Sequence, residues 1–94
     1  MNAQGSVSEI NRLSALPEGA RGILFRLELP PARAEALIRL GLIPGTELRC
    51  LRRSPFGDPT IYRFRGTSAA LRRSDAERII IKVYPDSRDL EERA

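Results

Sequence analysis

Short stretches in which apolar and polar residues alternate run through the middle of this chain, and they predict a β-rich fold. Residues 47–52 and residues 60–65 place apolar side chains at every second position, with mostly charged side chains between them. The apolar positions are Leu48, Cys50, Tyr62 and Phe64. A two-residue period is typical of a strand with one buried face. Residues 53–59 are rich in Pro and Gly, which favours a loop, so the two strands are predicted to form a hairpin.

The segment before this hairpin predicts another strand and then a short helix. Residues 20–29 alternate in part and place four apolar side chains on one face: Ile23, Phe25, Leu27 and Leu29. Pro30 and Pro31 end that strand, because proline cannot donate to a sheet, and they suit the start of a helix over residues 32–40. We therefore expect a short α-helix inserted after the first strand.

This predicted helix has one apolar face and a clear end. Ala34, Leu37 and Ile38 lie together at helical spacing. Gly41 follows, and glycine just past a helix end adopts a positive φ without a steric penalty. Leu42 is then placed to pack back on Leu37, the contact that accompanies such a cap.

The remainder of the chain predicts a strand, a single helical turn and a last strand. Residues 68–72 follow the predicted hairpin after a tight turn and are predicted to add a third strand to it. The pair Ser74 and Glu77 fits a capping box, in which each side chain accepts from the backbone N–H of the other. Residues 79–84 are β-branched and aromatic, which favours a final strand.

These elements predict one mostly β domain between two tails. We expect a loose tail over residues 1–12, a folded domain over 13–84 and a charged tail over 85–94. About five short strands in a domain this small are expected to close into a strongly bent barrel, since closure removes exposed sheet edges. Leu13 and Leu16 are expected to cover one edge of that barrel.

Composition and charge exclude several classes of protein. The chain has no histidine, so no histidine-based catalytic triad or metal site is available. A single cysteine excludes an internal disulfide, and no apolar run reaches the ~18 residues of a membrane span. The N-terminus lacks the pattern of a secretory signal, so we expect a cytoplasmic protein. The net charge of +4 leaves nucleic acid, an acidic partner and a membrane surface open.

The residues that could carry chemistry have simpler structural interpretations. Cys50 lies in a predicted strand, which favours a small buried apolar residue over a nucleophile. Asp58 lies among Pro and Gly, which favours a turn residue over a general acid. The other clustered acids fall in the C-terminal tail, where nothing rigid would hold a metal: Asp86, Asp89, Glu91 and Glu92. The sequence therefore predicts no enzyme, no cofactor and no metal site.

Arginines gather on the predicted hairpin and just beyond it. They are Arg49, Arg52, Arg53, Arg63, Arg65, Arg72 and Arg73. If the strand registers agree, several of them share one sheet face that could hold phosphates or an acidic loop. A solvated outer face is the simpler interpretation. Tyr62 and Phe64 are predicted to point inward, which leaves few aromatics for stacking on bases and disfavours nucleic acid.

Phe56 stands alone at the tip of the predicted loop. An exposed aromatic either folds back on its own domain or meets a partner. We expect folding back, and we keep Phe56 as a candidate contact residue.

Five ordered motifs link this chain to a known family. They are Leu-x-x-Leu-Pro-x-Gly at 13–19, Arg-Leu-Gly-Leu-Ile-Pro-Gly-Thr at 39–46, Ser-Pro-Phe-Gly-Asp-Pro at 54–59, Arg-Gly…Ala-Leu-Arg-Arg-Ser-Asp-Ala at 65–76, and the apolar strand at 79–83. In this order and spacing the chain resembles the FeoA family, the ferrous iron transport protein A domain. The resemblance implies an SH3-like barrel in a bacterial cytoplasmic protein.

The resemblance also implies a function as an accessory to iron uptake. The family acts with the membrane ferrous iron transporter FeoB, so we expect an interaction module that docks on the cytoplasmic part of a FeoB-type transporter. Transition-metal binding is usual for the family, although no ligand set for it is present here. The alternative is a basic module that binds nucleic acid or regulates a metal-dependent repressor. A homo-oligomer stays open.

By analogy with SH3-like barrels, a partner groove is expected between two loops. The candidate contact residues are Leu42, Ile43 and Pro44 on one side and Arg53, Pro55, Phe56 and Asp58 on the other.

Overall fold

Six antiparallel strands and three short helices make up the structure, a computed structural model that describes residues 9–83. The strands form one sheet in the order β1-β6-β2-β3-β4-β5. The elements in chain order are β1 (Glu9–Arg12), a 3-10 helix (Leu13–Ala15), β2 (Arg21–Leu27), α1 (Pro31–Arg39), β3 (Glu47–Arg53), β4 (Thr60–Phe64), β5 (Thr67–Leu71), α2 (Arg73–Ala76) and β6 (Ile79–Val83).

This architecture confirms the mostly β class and adds a strand that the sequence did not predict. Residues 9–12 pair with β6, so the expectation of a loose tail over 1–12 is wrong for its last four residues. All four are exposed, and the strand exists because the edge of β6 offers it backbone partners. Residues 1–8, Tyr84 and the predicted C-terminal tail lie outside the described residues.

Before its bulge, β2 turns inward the face opposite to the apolar face that the sequence suggested. Leu24 is buried, whereas Phe25 is 37% exposed. The pairing of β2 with β6 shifts between Leu24 and Arg26, and such a bulge changes which side chains face the core. Beyond the bulge, Leu27 and Leu29 pack against the core as partly buried residues.

The core fills the inside of a strongly curled sheet. Tyr62 on β4 and Leu13 after β1 are both buried, and the Tyr62 hydroxyl lies 3.5 Å from the Leu13 carbonyl oxygen. Leu13 follows β1 at one edge of the sheet, and Tyr62 lies on β4 near the other edge. The sheet must therefore curl strongly to bring them into contact. Leu48, Cys50 and Phe64 are buried in the same cluster, as the alternation of β3 and β4 predicted.

Helix α1 ends in the predicted glycine cap. The N–H of Gly41 donates to the Ile38 carbonyl at 2.9 Å, and the N–H of Leu42 donates to the Leu37 carbonyl at 3.0 Å. This pair of bonds is a Schellman motif, and Leu37 and Leu42 join the core together. The Cδ of Arg65 lies only 2.8 Å from where a Cβ on Gly41 would stand, so the Arg65 stem occupies the space that glycine leaves.

The predicted capping box at the start of α2 is wrong. Helix α2 begins at Arg73, one residue before Ser74, and its N-cap residue Arg72 makes no side-chain hydrogen bond. The backbone N–H of Arg73 instead donates to Oδ1 of Asp58, at 2.9 Å. A carboxylate from a distant loop therefore does the work that Ser74 was expected to do.

Two side-chain contacts hold α1 against α2 and against the β4–β5 turn. Arg33 near its start forms an ion pair with Asp75 of α2, and Gly41 after its end receives the Arg65 side chain. Within residues 9–83, no helix is long and apolar enough to cross a membrane.

Candidate docking site

The loop between β3 and β4 presents Phe56 on a closed turn. The N–H of Gly57 donates to the Ser54 carbonyl at 2.8 Å, and the N–H of Ser54 donates to the Pro59 carbonyl at 3.2 Å. Pro55 occupies the second position of this turn, where its fixed φ is favourable. Gly57 has a φ of +79°, which glycine adopts most readily. The backbone around Phe56 is thus fixed by its own hydrogen bonds.

Among residues 9–83, Phe56 is the most exposed of the large apolar side chains, at 92%. The expectation that it folds back on the barrel is wrong. The turn directs residue 56 outward, and Phe56 does not belong to the buried cluster that contains Tyr62 and Phe64. A fully exposed phenylalanine is costly to hydrate, which favours a partner that covers it.

An apolar depression of about 460 Å³ lies beside this loop. Its apolar walls come from Pro55, Pro59, Ile61 and Ala70, and its polar lining comes from Arg52, Arg53 and Ser54. Ile61 on β4 pairs directly with Ala70 on β5, so both side chains point to the same outer face. Phe56 and this depression together form a surface that we call the Phe56 site: Phe56, Pro55, Pro59, Ile61 and Ala70.

Two predicted contact residues support the loop from within the domain. The Arg53 guanidinium donates to the carbonyls of Ser14, at 3.1 Å, and Leu16, at 2.7 Å. The Arg53 backbone N–H donates to the carboxylate of Glu18 at 2.8 Å. These bonds fasten the end of β3 to the chain before β2. Arg53 therefore positions the loop.

Asp58 plays a similar part on the other side of the loop. Its carboxylate accepts from the first backbone N–H of α2, so the loop and the helix hold each other in place. Asp58 thus lies in the loop, as the sequence predicted, and also makes a capping contact across the fold. Both Arg53 and Asp58 act on Phe56 through the backbone.

The structure separates the two halves of the predicted groove. Pro44 lies shortly before β3 and Pro55 shortly after it, and seven extended residues span roughly 20 Å. Leu42 is fully buried, because it completes the α1 cap, and it has no surface to offer a partner. Ile43 and Pro44 are exposed at the far end of the domain.

Sequence reasoning named Arg53 and Pro55 but missed Pro59, Ile61 and Ala70, which also line the depression. Ile61 lies on the face of β4 opposite to the predicted buried face, but its alignment with Ala70 depends on the register of two strands. Register between strands is set by the turn that joins them. Arg65 and Gly66 both have positive φ in that turn, a pattern typical of the two-residue hairpin. An Arg-Gly pair is a weak signal for such a turn.

The arginines do line up across the sheet, as the sequence suggested. Arg49 on β3 pairs directly with Arg63 on β4 and, on its other side, with Arg21 on β2. Arg21 is bonded to Glu47 at 3.1 Å. A second depression of about 370 Å³ is lined by Arg49, Arg63 and Arg65. This basic depression adjoins the turn that follows Pro44, so it lies at the end of the domain away from Phe56.

The buried interior supplies no reactive group. Cys50 is fully buried, as predicted, and its burial raises the pKa of its thiol. Burial also raises the pKa of Tyr62. Over residues 9–83, no three side chains of His, Cys, Asp or Glu come together as metal ligands would. The donor set of the described domain therefore does not fit a metal centre.

Comparison with known proteins places this geometry in a family. The model of the FeoA domain matches residues 11–83. The solution structure of FeoA from Chlorobium tepidum is 35% identical, with a TM-score of 0.75 over 77% of this chain and 69% of that chain. The zinc complex of FeoA from Stenotrophomonas maltophilia, described as a procaryotic SH3 domain protein, is 30% identical. Its TM-score is 0.66, over 74% of this chain and 87% of that chain.

A curated relative carries this domain within a much longer chain. The Fe(2+) transport protein A/Fe(2+) transporter FeoB fusion protein of Porphyromonas gingivalis is 28% identical over 72 residues. The match covers 77% of this chain and 8% of the fusion protein. The family match extends over nearly all of residues 9–83, and the solved relatives confirm the SH3-like fold. This chain belongs to the FeoA domain family of ferrous iron transport.

Proposed function

We propose that this domain is a cytoplasmic accessory module that docks, through the Phe56 site, on the cytoplasmic part of a FeoB-type ferrous iron transporter. The observation that carries the proposal is a 92% exposed phenylalanine on a turn braced by hydrogen bonds, beside an apolar depression. Large aromatics beside pockets are typical of residues that dominate binding energy. A rigid loop loses little entropy when it binds.

The choice of partner rests on the family and on the fusion protein. In the Porphyromonas gingivalis relative, transport protein A and transporter FeoB are parts of one polypeptide. Joining two modules in one chain raises their effective concentration, which suits modules that bind each other. For a separate domain, the same encounter requires a surface with affinity of its own, and the Phe56 site supplies one.

The fixed loop defines which predicted contact residues touch the partner. Phe56 and Pro55 make the contact, while Arg53 and Asp58 hold them in place. Ile43 and Pro44 lie beyond reach of the same small surface, at the other end of β3. A basic module that binds nucleic acid stays the alternative. The burial of Tyr62 removes one of the aromatics that base stacking requires.

The test is a titration of the domain against a FeoB-type transporter purified in detergent, so that no bilayer is present. Phe56→Ala is expected to raise the Kd about 30-fold, which corresponds to a loss of roughly 2 kcal/mol. The matched control is Phe25→Ala, the same substitution at a partly exposed residue on β2. Both variants are checked by thermal unfolding.

The two variants separate the outcomes. The proposal requires that Phe56→Ala lose affinity with its melting temperature unchanged, and that Phe25→Ala keep affinity. Equal affinity for the wild type and Phe56→Ala contradicts the proposed site. No binding by the wild type contradicts the proposed partner.

A further inference from the structure

Large aliphatic side chains stand exposed at the end of α1 and in the turn after it. Ile38 is 46% exposed, Leu40 48% and Ile43 42%. Pro44, also exposed, follows directly. We call these four residues the aliphatic corner. So many exposed apolar side chains within seven consecutive residues mark a contact surface.

The helix cap explains why these side chains point outward. The Schellman motif commits Leu37 and Leu42 to the core. Ile38 was expected to share the buried face with Leu37, but it lies beyond the edge of that face. The N–H of Ile43 donates to the Gly41 carbonyl at 3.1 Å, which holds Ile43 close to the helix end. The cap thus displays the aliphatic corner in a fixed arrangement.

Arginines border the aliphatic corner on the side of the sheet. The stem of Arg65 lies against Gly41, inside the turn that carries the corner. Arg65 also lines the basic depression, together with Arg49 and Arg63. Arg39 projects from α1 between two corner residues, and its side chain is 74% exposed.

The acids near this surface do not neutralise it. Glu47 lines the basic depression but is bonded to Arg21 at 3.1 Å. Glu35 lies 3.8 Å from Arg39, and both side chains are largely exposed, so this pair is weak. Arg49 and Arg63 face each other as like charges across neighbouring strands, which costs stability unless an anion lies between them.

We propose that the aliphatic corner and the bordering arginines form a surface that binds an anionic lipid bilayer. The corner side chains are exposed at the helix end, and none of them lines the basic depression. Projecting aliphatics enter the boundary between headgroups and acyl chains, and flanking arginines meet lipid phosphates. A peptide partner prefers a concave groove, which the Phe56 site offers and this corner does not.

A second copy of the chain fits this surface less well than a bilayer. Two copies joined corner to corner would bring their arginines together, and like charges at an interface oppose association. A bilayer containing acidic lipids supplies both the apolar layer and the negative charge. This inference goes beyond the proposed transporter docking, since the two surfaces lie at opposite ends of β3 and share no residue.

The geometry gives a bilayer-bound domain a defined orientation. With the aliphatic corner in the headgroup layer, β3 carries the Phe56 loop roughly 20 Å away from it. Phe56 then stays in water, available to a protein partner. The two surfaces can therefore act at the same time.

The test uses protein-free vesicles of 30% phosphatidylglycerol in phosphatidylcholine, compared with pure phosphatidylcholine. The chain has no tryptophan, so a single introduced Trp reports on its own surroundings. With the acidic vesicles, Ile43→Trp is expected to show a blue-shifted emission that brominated lipids quench. Phe56→Trp is the matched reporter at the other end, and its emission is expected to stay that of water.

Variants then separate the apolar and the charged contributions in vesicle sedimentation. The double variant Leu40→Ser/Ile43→Ser is expected to reduce binding to acidic vesicles about tenfold, whereas Phe56→Ser leaves it unchanged. Arg49→Ala/Arg63→Ala is expected to reduce binding more than Arg12→Ala/Arg78→Ala, which removes equal charge elsewhere. Binding should also weaken as salt is raised.

Several outcomes would overturn the inference. The first is that the domain does not sediment with acidic vesicles, and the second is that it binds neutral vesicles equally well. The third is that Arg49→Ala/Arg63→Ala and Arg12→Ala/Arg78→Ala lose the same amount of vesicle binding. A concentration-dependent dimer that Ile43→Ser abolishes, without vesicle binding, would assign the corner to a second copy. Because the vesicles contain no protein, none of these results bears on docking to a transporter. The Trp reporters keep the test valid even if a serine variant unfolds.

Discussion

The carboxylate of Asp58 accepts a hydrogen bond of 2.9 Å from the backbone N–H of Arg73, so one loop both presents Phe56 and caps α2. The first N–H groups of a helix have no partner within the helix. The neighbouring Ser74 does not supply one here. The conformation of the candidate docking loop is therefore coupled to the stability of the helix that follows β5.

Removing this cap should destabilise the domain. Asp58→Ala is expected to lower the free energy of unfolding by about 1 kcal/mol, the usual worth of a helix cap. Asp58→Asn keeps an oxygen that can accept the same bond, so its free energy of unfolding should fall by less than half as much. Urea unfolding of the three proteins measures the difference. Equal losses in both variants would show that the bond to Arg73 contributes little.

Arg53 should matter for stability far more than its neighbour Arg52. Arg53→Ala removes the donors to the Ser14 and Leu16 carbonyls and is expected to cost about 2 kcal/mol, because partly buried carbonyls lose their partner. Arg52→Ala, at an exposed position, should stay within about 0.5 kcal/mol of the wild type. Chemical denaturation checks both. Similar values for the two variants would contradict the positioning role of Arg53.

The arginine row predicts a substitution that stabilises the domain. Arg49 lies directly between Arg21 and Arg63. In Arg49→Glu, the repulsion between residue 49 and each of these two arginines becomes an attraction. We expect a gain of about 0.2–1 kcal/mol at low salt, which shrinks as salt screens the charges. Thermal unfolding at two salt concentrations measures it. A loss of stability at low salt would mean that Arg49 has a structural partner.

The buried thiol of Cys50 and the buried phenol of Tyr62 predict a loss of stability at alkaline pH. Burial raises the pKa of Cys50 and of Tyr62, so the folded protein keeps both protons at a pH where the unfolded chain releases them. The unfolded state then binds fewer protons, and the free energy of unfolding falls as pH rises. The decline should begin above about pH 8.5, the ordinary range of a cysteine.

A cysteine variant isolates the contribution of the thiol. In Cys50→Ala only Tyr62 remains, so the alkaline decline should begin near pH 10 instead. Urea unfolding between pH 7 and pH 10.5 tests this shift. An unchanged onset in Cys50→Ala would assign the decline to another group.

Local patterns predicted most of the strands because each pattern is complete within a few residues. Leu48 and Cys50 reveal the buried face of β3 without any knowledge of its neighbours. Gly41 marks the end of α1 for the same reason, since the cap is closed by residues on either side of it. The SH3-like fold followed from the family motifs more than from the strands themselves.

The errors arose where distant parts of the chain meet. Residues 9–12 carry no apolar alternation, and they form a strand only because β6 offers an unpaired edge. Which side chains of β2 point into the core depends on a bulge between Leu24 and Arg26, and no local sequence pattern predicts that bulge. Ser74 has the right spacing for a capping box, but the carboxylate of Asp58 accepts the hydrogen bond from the first N–H of the helix. Each outcome was decided by tertiary contacts.

The candidate site was predicted in part for the same reason. Phe56 and Pro55 stand out in sequence because the predicted loop carries one large aromatic side chain among Pro and Gly residues. The depression beside them requires Ile61 and Ala70 to align across two strands. The expected groove also joined loops that lie at opposite ends of β3, since the analogy carried no distances.

Docking through Phe56 can be tested by photo-cross-linking from position 56. The photoreactive aromatic p-benzoylphenylalanine replaces Phe56, and the domain is irradiated with membranes that contain a FeoB-type transporter. The control carries the same group in place of Phe25. We expect a covalent adduct with the cytoplasmic part of the transporter from position 56 and none from position 25. Equal adducts from both positions, or an adduct from position 25 alone, would contradict docking through Phe56.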